Sequence, residues 1–189
     1  MPLAVGNQWV MQMDGARDGR TYARIDTFAV VRDTDVTGET WYEVRSSHFP
    51  ESPGFENAFY ANRDDGLWKG ERLDDGTFAT RLLYAFPAGT GTEYALRDGA
   101  TTRVVSADSL YRPPAQDALV SYHYRITYTS AVFQGAATPF VNPLSTDHFL
   151  APGTGLVRVS CFWARLNDDG RLERIGGDTW ELLEFRQAQ

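Results

Sequence analysis

Sulfur and imidazole groups are scarce in this chain of 189 residues, which contains one cysteine, Cys161, and three histidines. A single cysteine excludes an intrachain disulfide, and a cysteine-based zinc site would need further ligands that do not cluster near it. Cys161 lies in an apolar run, a setting that raises the pKa of a thiol and makes it inert. The sequence therefore predicts neither a bound metal nor a cofactor.

Signatures of catalysis are also missing. The chain has no Gly-x-Ser-x-Gly pentapeptide and no His-Glu-x-x-His motif, so the usual marks of a serine hydrolase and of a zinc hydrolase are absent. Asp147 and His148 are adjacent, but neighbouring side chains of a strand point to opposite faces and would not cooperate. Glu181 and Glu184 form one of several acidic pairs, and a glycosidase needs a set separation across a cleft. The prediction is a protein that is not an enzyme.

Positive charge and long apolar runs are limited. The net charge is -7 and the estimated pI is 4.9, and without a basic run this balance disfavours a nucleic-acid partner. No run of about 18 apolar residues is present, which excludes a membrane-spanning helix. The opening MPLAVGNQWVMQM lacks the basic and apolar regions of a signal peptide. It fits either a cytosolic protein or an exported domain whose leader precedes Met1.

The chain is rich in aromatic and apolar residues, which make up 13% and 42% of it. This content suffices for a packed core in a single domain spanning residues 1–189. Its glycines and prolines separate runs of valine, threonine and aromatics, a composition typical of strands joined by turns. Asp-Asp-Gly occurs at residues 64–66, 74–76 and 168–170, and Asp-Gly suits a hairpin turn.

Side-chain alternation predicts the strands and the faces that they present. In the run from Leu119 to Ser130, one face carries Val120, Tyr122, Tyr124, Ile126 and Tyr128. This tyrosine-rich face is either plain core or the lining of a pocket. In the run from Thr77 to Phe86, alternation predicts a single face with Phe78, Leu82, Tyr84 and Phe86.

These patterns predict an all-β fold with little helix. About nine or ten antiparallel strands would form a strongly curved sheet, either a half-open barrel or a calyx, with a two-sheet β-sandwich as the alternative. The tryptophans fall on separate predicted strands, so the fold either gathers them into a concave wall or buries them in the core. They are Trp9, Trp41, Trp68, Trp163 and Trp180.

Two segments resemble elements of uncharacterised bacterial cell-envelope lipoprotein domains. Residues Pro2–Trp9, PLAVGNQW, resemble the P-L-x-x-G-N-x-W start of such domains, and Leu150–Arg158, LAPGTGLVR, resembles their closing A-P-G-x-G-L-V element. The resemblance implies a fold made of strands and turns and a place in the cell envelope. It also implies either that a lipoprotein signal and linker were trimmed before Met1 or that this is an unusual leaderless copy, and we take the first as the expectation. It carries over no catalytic residue and no settled activity.

A third segment, Arg103–Ile126, resembles the region in which such domains place a short Pro-Ala-Gly-x-Phe element before a strand. In this chain Pro114-Ala115 is followed by Gln116-Asp117 instead of glycine and an aromatic residue. The segment thus keeps the order of the elements but departs from their residues.

The predicted function is a non-enzymatic envelope domain that binds an apolar or amphipathic ligand, or a protein partner, on a concave aromatic face. The candidate residues are Tyr122, Tyr124 and Tyr128, followed by Trp41 and Trp68. One alternative is a carbohydrate-binding or carbohydrate-active module that uses exposed tryptophans and acidic residues. Another is a purely structural module. A periplasmic or surface location is predicted, with the cytoplasm as the alternative.

Overall fold

A computed structural model describes residues 1–17, 19–47, 57–96, 100–114, 117–128, 140–141, 145–166, 168–169 and 171–188. For some strand residues, Tyr128 and Trp163 among them, only the backbone is described, so the predictions for these two side chains lie outside the described part of the chain.

In the part of the chain that the structure describes, thirteen strands form one sheet, in which all the pairings are antiparallel. They are β1 (Gln8–Arg17), β2 (Arg20–Val36), β3 (Glu39–Ser46), β4 (Ala58–Arg63), β5 (Gly66–Arg72), β6 (Phe78–Ala85), β7 (Glu93–Ala95), β8 (Ala100–Tyr111), β9 (Leu119–Tyr128), β10 (Phe140–Val141), β11 (Ser145–Ala151), β12 (Gly155–Leu166) and β13 (Leu172–Arg186). The described residues contain no helix. The predicted all-β class and single curved sheet are confirmed.

The order of strands across the sheet is β6-β5-β4-β3-β2-β1-β13-β12-β11-β9-β8-β7, and β10 pairs with β12. Most neighbours in this order are also neighbours in sequence, as expected of a meander joined by short turns. The sheet has more strands than predicted partly because β7 and β10, of 3 and 2 residues, are too short to show an alternating pattern.

The first two Asp-Asp-Gly tripeptides lie in hairpins, as predicted, whereas Gly170 of the third lies outside the described residues. The first joins β4 to β5 and the second joins β5 to β6, while Asp168 and Asp169 of the third lie between β12 and β13. Gly66 has a φ of +147° and Gly76 a φ of +81°. Glycine adopts such positive values without the steric cost that a Cβ would bring.

The core lies on the inner face of the curved sheet. Trp9, Met11 and Met13 alternate along β1 and are buried, and directly opposite residues extend the same layer: Trp9 pairs with Phe28 and Met13 pairs with Trp180. Each large side chain removed from water in this way contributes about 1.5–3 kcal/mol to stability. The aromatic residues of the sequence are therefore used first of all to fill this layer.

The two edges of the sheet, β6 and β7, meet without a backbone ladder between their described residues. The Tyr94 hydroxyl in β7 donates to the Leu83 carbonyl at 2.8 Å and accepts from the Ala85 amide at 3.1 Å. The Tyr124 hydroxyl in β9 donates to the Ala85 carbonyl at 2.7 Å. We call these four residues the tyrosine seam. The sheet is thus a half-open barrel whose edges are joined by side chains.

The predicted common face of Phe78 and Tyr84 is wrong. A β-bulge at Leu83 shifts the register between β5 and β6 by one residue, so the residues before and after it present opposite faces. Phe78 lies on the outer face, where its ring contacts Trp41 at a centroid distance of 5.0 Å. Tyr84 is fully buried in the core.

Lys69, the one lysine of the chain, lies on the inner face of β5 opposite Tyr60 and is 5% exposed. Burial, aided by the charge of Arg81, lowers the pKa of Lys69 to about 8. Because the unfolded chain holds this proton up to a higher pH than the folded chain, the contribution of Lys69 to stability should increase as the pH rises from 8 to 10.

We expect Lys69→Met to raise the free energy of unfolding at pH 7, since methionine has a similar length and no charge to desolvate. The advantage of K69M over the wild type should shrink by about 2 kcal/mol between pH 7.5 and pH 10. Urea unfolding of both proteins across this range measures the difference. A difference that stays constant with pH would show that burial of the charge has no such cost.

Candidate functional site

A cavity of about 180 Å³ opens at one end of the half-open barrel. We call it the tyrosine pocket, because two of the predicted ligand-binding residues lie in its wall. Its lining is mostly apolar and consists of Met1, Phe86, Tyr122, Tyr124, Leu150, Ala151, Pro152, Gly153 and Gly155. A concave apolar site with a few polar groups is the usual form of a small-molecule site in proteins.

The turn between β11 and β12 forms one wall of the pocket. The Trp9 indole N–H donates to the carbonyl of Thr154 at 2.6 Å and holds this turn against β1. Gly155 has a φ of +91°, and a Cβ at this position would lie 3.1 Å from Met1 and 3.2 Å from Trp9. A glycine is therefore needed here for both the conformation and the close packing.

The first residues of the chain lie beside this turn. The Asn7 side-chain amide donates to the Pro2 carbonyl at 2.7 Å, which folds the segment back on itself. Met1 exchanges two hydrogen bonds with Asn62 of β4, at 3.0 and 2.7 Å. The segments PLAVGNQW and LAPGTGLVR, which carry the resemblance described above, thus meet at the pocket.

Tyr122 and Tyr124 of β9 form the opposite wall. Their rings are stacked, with centroids 6.0 Å apart and an interplanar angle of 22°. The Tyr124 hydroxyl belongs to the tyrosine seam, and burial raises the pKa of this phenol above its ordinary value. The half-buried Tyr122 has no hydrogen-bond partner for its hydroxyl among the described residues. The pocket therefore offers a flat ring and one phenol that is available to a ligand.

The apolar inner face continues beyond the pocket into solvent. Val120 precedes Tyr122 by two residues, and so it lies on the same face of β9, about 7 Å further along the strand. Directly opposite it on β8 is Leu110. Val120 is 57% exposed and Leu110 is 74% exposed. We call this pair the apolar lip, because it extends the surface of the pocket outward.

Three buried polar side chains form a hydrogen-bonded cluster in the core near the tyrosine seam. The Tyr84 hydroxyl and the His148 Nδ1 atom are 2.6 Å apart, and the His148 Nε2 atom is 2.9 Å from the Thr146 hydroxyl. Burial lowers the pKa of His148 to about 4, so the imidazole is neutral at pH 7. A neutral imidazole with both nitrogens hydrogen-bonded is a structural link between β6 and β11.

Asp147, next to His148 in sequence, lies on the other face, as predicted. Its carboxylate accepts a hydrogen bond from His123 at 2.7 Å and another from Arg125 at 2.9 Å. Burial raises the pKa of the Asp147 carboxyl, but the hydrogen bonds from His123 and Arg125 outweigh this effect, so the pKa lies below its usual value.

The two tryptophans that were predicted to bind a ligand do not lie at the tyrosine pocket. Trp41 and Trp68 lie on the outer face of β3 and β5, and the Arg63 guanidinium lies between them, 5.3 Å from the Trp41 ring and 4.2 Å from the Trp68 ring. Glu39 accepts two hydrogen bonds from Arg63, both at 2.6 Å. Trp41 is 1% exposed, which leaves its ring no surface on which a sugar could stack.

The structure thus brings Tyr122 and Tyr124 together and places Trp41 and Trp68 in a separate cluster. Sequence reasoning did not identify Phe86, Leu150 or the β11–β12 turn as pocket residues. The resemblance motif A-P-G-x-G-L-V was the available signal for this turn, because its glycines mark a tight backbone approach.

Two further features follow from the described residues. No three histidine, cysteine, aspartate or glutamate side chains in that part of the chain form a group that could hold a metal ion. Nor does that part of the chain include a helix long and apolar enough to cross a bilayer.

No protein-family model and no curated protein matches this chain. One solved structure similar to it is described as a "putative lipoprotein" from Parabacteroides distasonis ATCC 8503, with 11% identity, a TM-score of 0.43 and coverage of 98% of this chain and 97% of that one. Another is a "putative outer membrane lipoprotein-sorting protein domain" from Vibrio parahaemolyticus, with 7% identity, a TM-score of 0.26 and coverage of 96% and 85%. Both likenesses are too distant to carry a ligand or an activity over to this chain.

Proposed function

We propose that this protein is a non-enzymatic binding domain that holds an apolar or amphipathic small molecule in the tyrosine pocket. The observation that carries the proposal is the mostly apolar pocket together with the exposed apolar lip, which begins two residues from Tyr122 on the same face of β9. An exposed apolar surface that continues into a concave site is typical of a binding surface.

The size of the pocket limits what it can hold. Its volume of about 180 Å³ is below the range of about 300–1,000 Å³ typical of sites for drug-sized ligands. An apolar cavity of about 150 Å³ accommodates a benzene ring. The pocket therefore suits one ring or one short alkyl segment, and the remainder of a longer ligand would lie on Val120 and Leu110.

The hydroxyl of Tyr122 would orient such a ligand. A phenol at the mouth of an apolar pocket can donate to, or accept from, a polar group of the ligand while its ring contacts the apolar part. This arrangement favours an amphipathic molecule over a plain hydrocarbon.

Native mass spectrometry of gently purified protein tests the proposal directly. A retained small molecule, released when the protein is denatured, is the expected result. Where purification has removed it, binding of the fluorescent probe N-phenyl-1-naphthylamine serves as the second readout. A clean apo mass together with no saturable probe binding would contradict the proposal.

Filling the pocket should weaken binding of the probe. Ala151→Leu adds three carbon atoms to the wall of a cavity of about 180 Å³, and we expect at least about a tenfold loss of probe affinity, equivalent to about 1.4 kcal/mol. Tyr122→Ala, which removes the ring and the hydroxyl, should cause a loss of similar size.

The matched control is Phe162→Ala, because Phe162 is an aromatic residue of the outer face that is 40% exposed. The F162A variant should bind the probe as the wild type does. Equal affinities of A151L, Y122A and F162A would mean that the probe binds elsewhere.

We further propose that the protein functions in the bacterial cell envelope, at the periplasm or the cell surface. The support is the resemblance of Pro2–Trp9 and Leu150–Arg158 to elements of envelope lipoprotein domains. Fractionation of cells that express the gene from its natural start distinguishes this location from the cytoplasm. Recovery in the cytoplasmic fraction alone would contradict the envelope assignment and leave the binding proposal intact.

A further inference from the structure

Four charged side chains form a row across the outer face of neighbouring strands. They are Glu93 of β7, Arg103 of β8, Arg125 of β9 and Asp147 of β11, and each lies directly opposite the next in the strand pairing. The order of charges is negative, positive, positive, negative. The two arginines are therefore direct cross-strand neighbours.

A pair of like charges in this position is unfavourable. Directly opposite residues of an antiparallel pair have Cβ atoms about 4.5–5.5 Å apart, and like charges at this distance destabilise the pair unless counter-charges are close. Glu93 and Asp147 supply some compensation, but each lies on the far side of one arginine. In the strand pairing, neither acidic residue stands between the two arginines.

The hydrogen bonds show how much donor capacity remains. Arg125 donates from Nε and Nη2 to Asp147 at 2.9 and 3.3 Å. Arg103 makes an ion pair with Glu93 at 3.6 Å and no hydrogen bond within the described part of the chain. Because a guanidinium has five N–H donors, most of those of Arg103 are available to a ligand.

A groove of about 480 Å³ lies over this arginine pair. Thr101 and Thr127, a second directly opposite pair, line it next to the arginines. Val105 and Glu93 complete the lining. The side chains of Arg103 and Arg125 are 60% and 49% exposed, so a ligand reaches them from solvent without any change of the fold.

We infer that the groove formed by Arg103, Arg125, Thr101 and Thr127 binds a phosphate group. A tetrahedral oxyanion between two guanidinium groups accepts hydrogen bonds from both, removes their mutual repulsion and leaves its outer oxygens for the threonine hydroxyls. The site lies on the outer face of the sheet, whereas the tyrosine pocket lies on the inner face. Phosphate binding is therefore independent of the proposed ligand of that pocket.

The net charge of -7 makes this local arrangement more specific. A protein with this net charge repels anions at long range. Only an anion that accepts hydrogen bonds from several donors gains enough binding free energy to offset this repulsion. Glu93 and Asp147 at the two ends restrict the bound group to the centre of the row. A compact phosphate fits this limit better than an extended polyanion.

Titration of the full chain with sodium phosphate at pH 7, at constant ionic strength set by sodium chloride, tests the inference. The readout is the set of arginine Nε–Hε resonances in a nitrogen-15 correlation spectrum. We expect saturable shifts of the Arg103 resonance, which is identified by its loss in Arg103→Gln. In R103Q the phosphate concentration at half-saturation, followed on Arg125, should rise about tenfold.

Arg45→Gln is the matched control, because the Arg45 side chain is 61% exposed and pairs with Glu43 at 2.8 Å. R45Q should titrate as the wild type does. Equal titrations of R103Q and R45Q, or the same shifts with sodium chloride alone, would overturn the inference.

Vesicles distinguish the two sources of a phosphate group. If the group belongs to a lipid, the wild type should sediment with phosphatidylglycerol vesicles more than with phosphatidylcholine vesicles, and R103Q should lose this preference. If the group belongs to a soluble molecule, free phosphate should bind and vesicles should not. Failure of both would overturn the inference, while probe binding in the tyrosine pocket would be unaffected.

Discussion

Acidification from pH 7.5 to pH 4.5 is expected to remove about 2.5 kcal/mol of stability through His148 alone. In the unfolded chain the His148 imidazole has its ordinary pKa, 6.5, whereas burial lowers the pKa to about 4 in the folded protein. Between these two values the unfolded chain binds a proton that the folded protein excludes. Stability from this source is therefore complete above pH 6.5 and is lost as the pH falls toward 4.

The environment of His148 explains the size of the effect. The imidazole is almost fully buried, and its two nitrogens contact the hydroxyls of Tyr84 and Thr146. Protonation would place a charge in the core next to neutral oxygens. Each pKa unit between the folded and unfolded values corresponds to about 1.4 kcal/mol.

Urea unfolding of the wild type and of His148→Gln at several pH values isolates this term. Carboxylates also respond to acid, but they are common to both proteins, so the difference between the two free energies reports His148. A difference between wild type and H148Q that stays constant from pH 7.5 to pH 4.5 would contradict this account.

Replacing Gly66 by alanine should cost at least about 3 kcal/mol. Gly66 follows the first Asp-Asp pair and has a φ of +147°. A Cβ at this position would lie 2.1 Å from the Tyr84 carbonyl oxygen, a backbone atom of β6. Backbone strain and overlap with the neighbouring strand therefore add together.

Gly38→Ala separates the two contributions. Gly38 also has a positive φ, +84°, but a Cβ there meets nothing within 4 Å. G38A should cost about 1 kcal/mol, from backbone strain alone. The urea midpoints of G66A and G38A, compared at equal slope, give the two losses of stability. If G66A loses no more stability than G38A, then β6 moves away from the added Cβ at no cost in free energy.

Local chemistry made the turns and the fold class predictable. Asp-Asp-Gly fixes a hairpin through the conformations of its own residues, so no knowledge of distant contacts was needed. The two faces of β6 could not be predicted from the local sequence. The bulge at Leu83 exists because Tyr84 enters the core beside His148 while Phe78 packs on Trp41 outside, and both contacts join residues that are distant in sequence.

The candidate site was predictable in part for a related reason. Alternation places Tyr122 and Tyr124 on one face of β9 whatever the rest of the fold does. Alternation does not determine which face of another strand turns inward, so Trp41 and Trp68 could not be assigned to the outer face. A buried Trp41 on that face results from the cover that Arg63 and Phe78 provide, which depends on the packing of four strands.

The tyrosine seam also determines how firmly the two edges of the barrel are joined. In a barrel closed by a continuous ladder, strand number and stagger fix the radius, and it can change only if a strand is added or slips. Here the closure consists of hydroxyl contacts from Tyr94 and Tyr124 to the backbone of β6. These contacts can break while every strand keeps its ladder partners. Loss of one of these hydroxyls should therefore weaken the joint between the two edges of the sheet and leave the twelve neighbouring strands of the ladder paired as before.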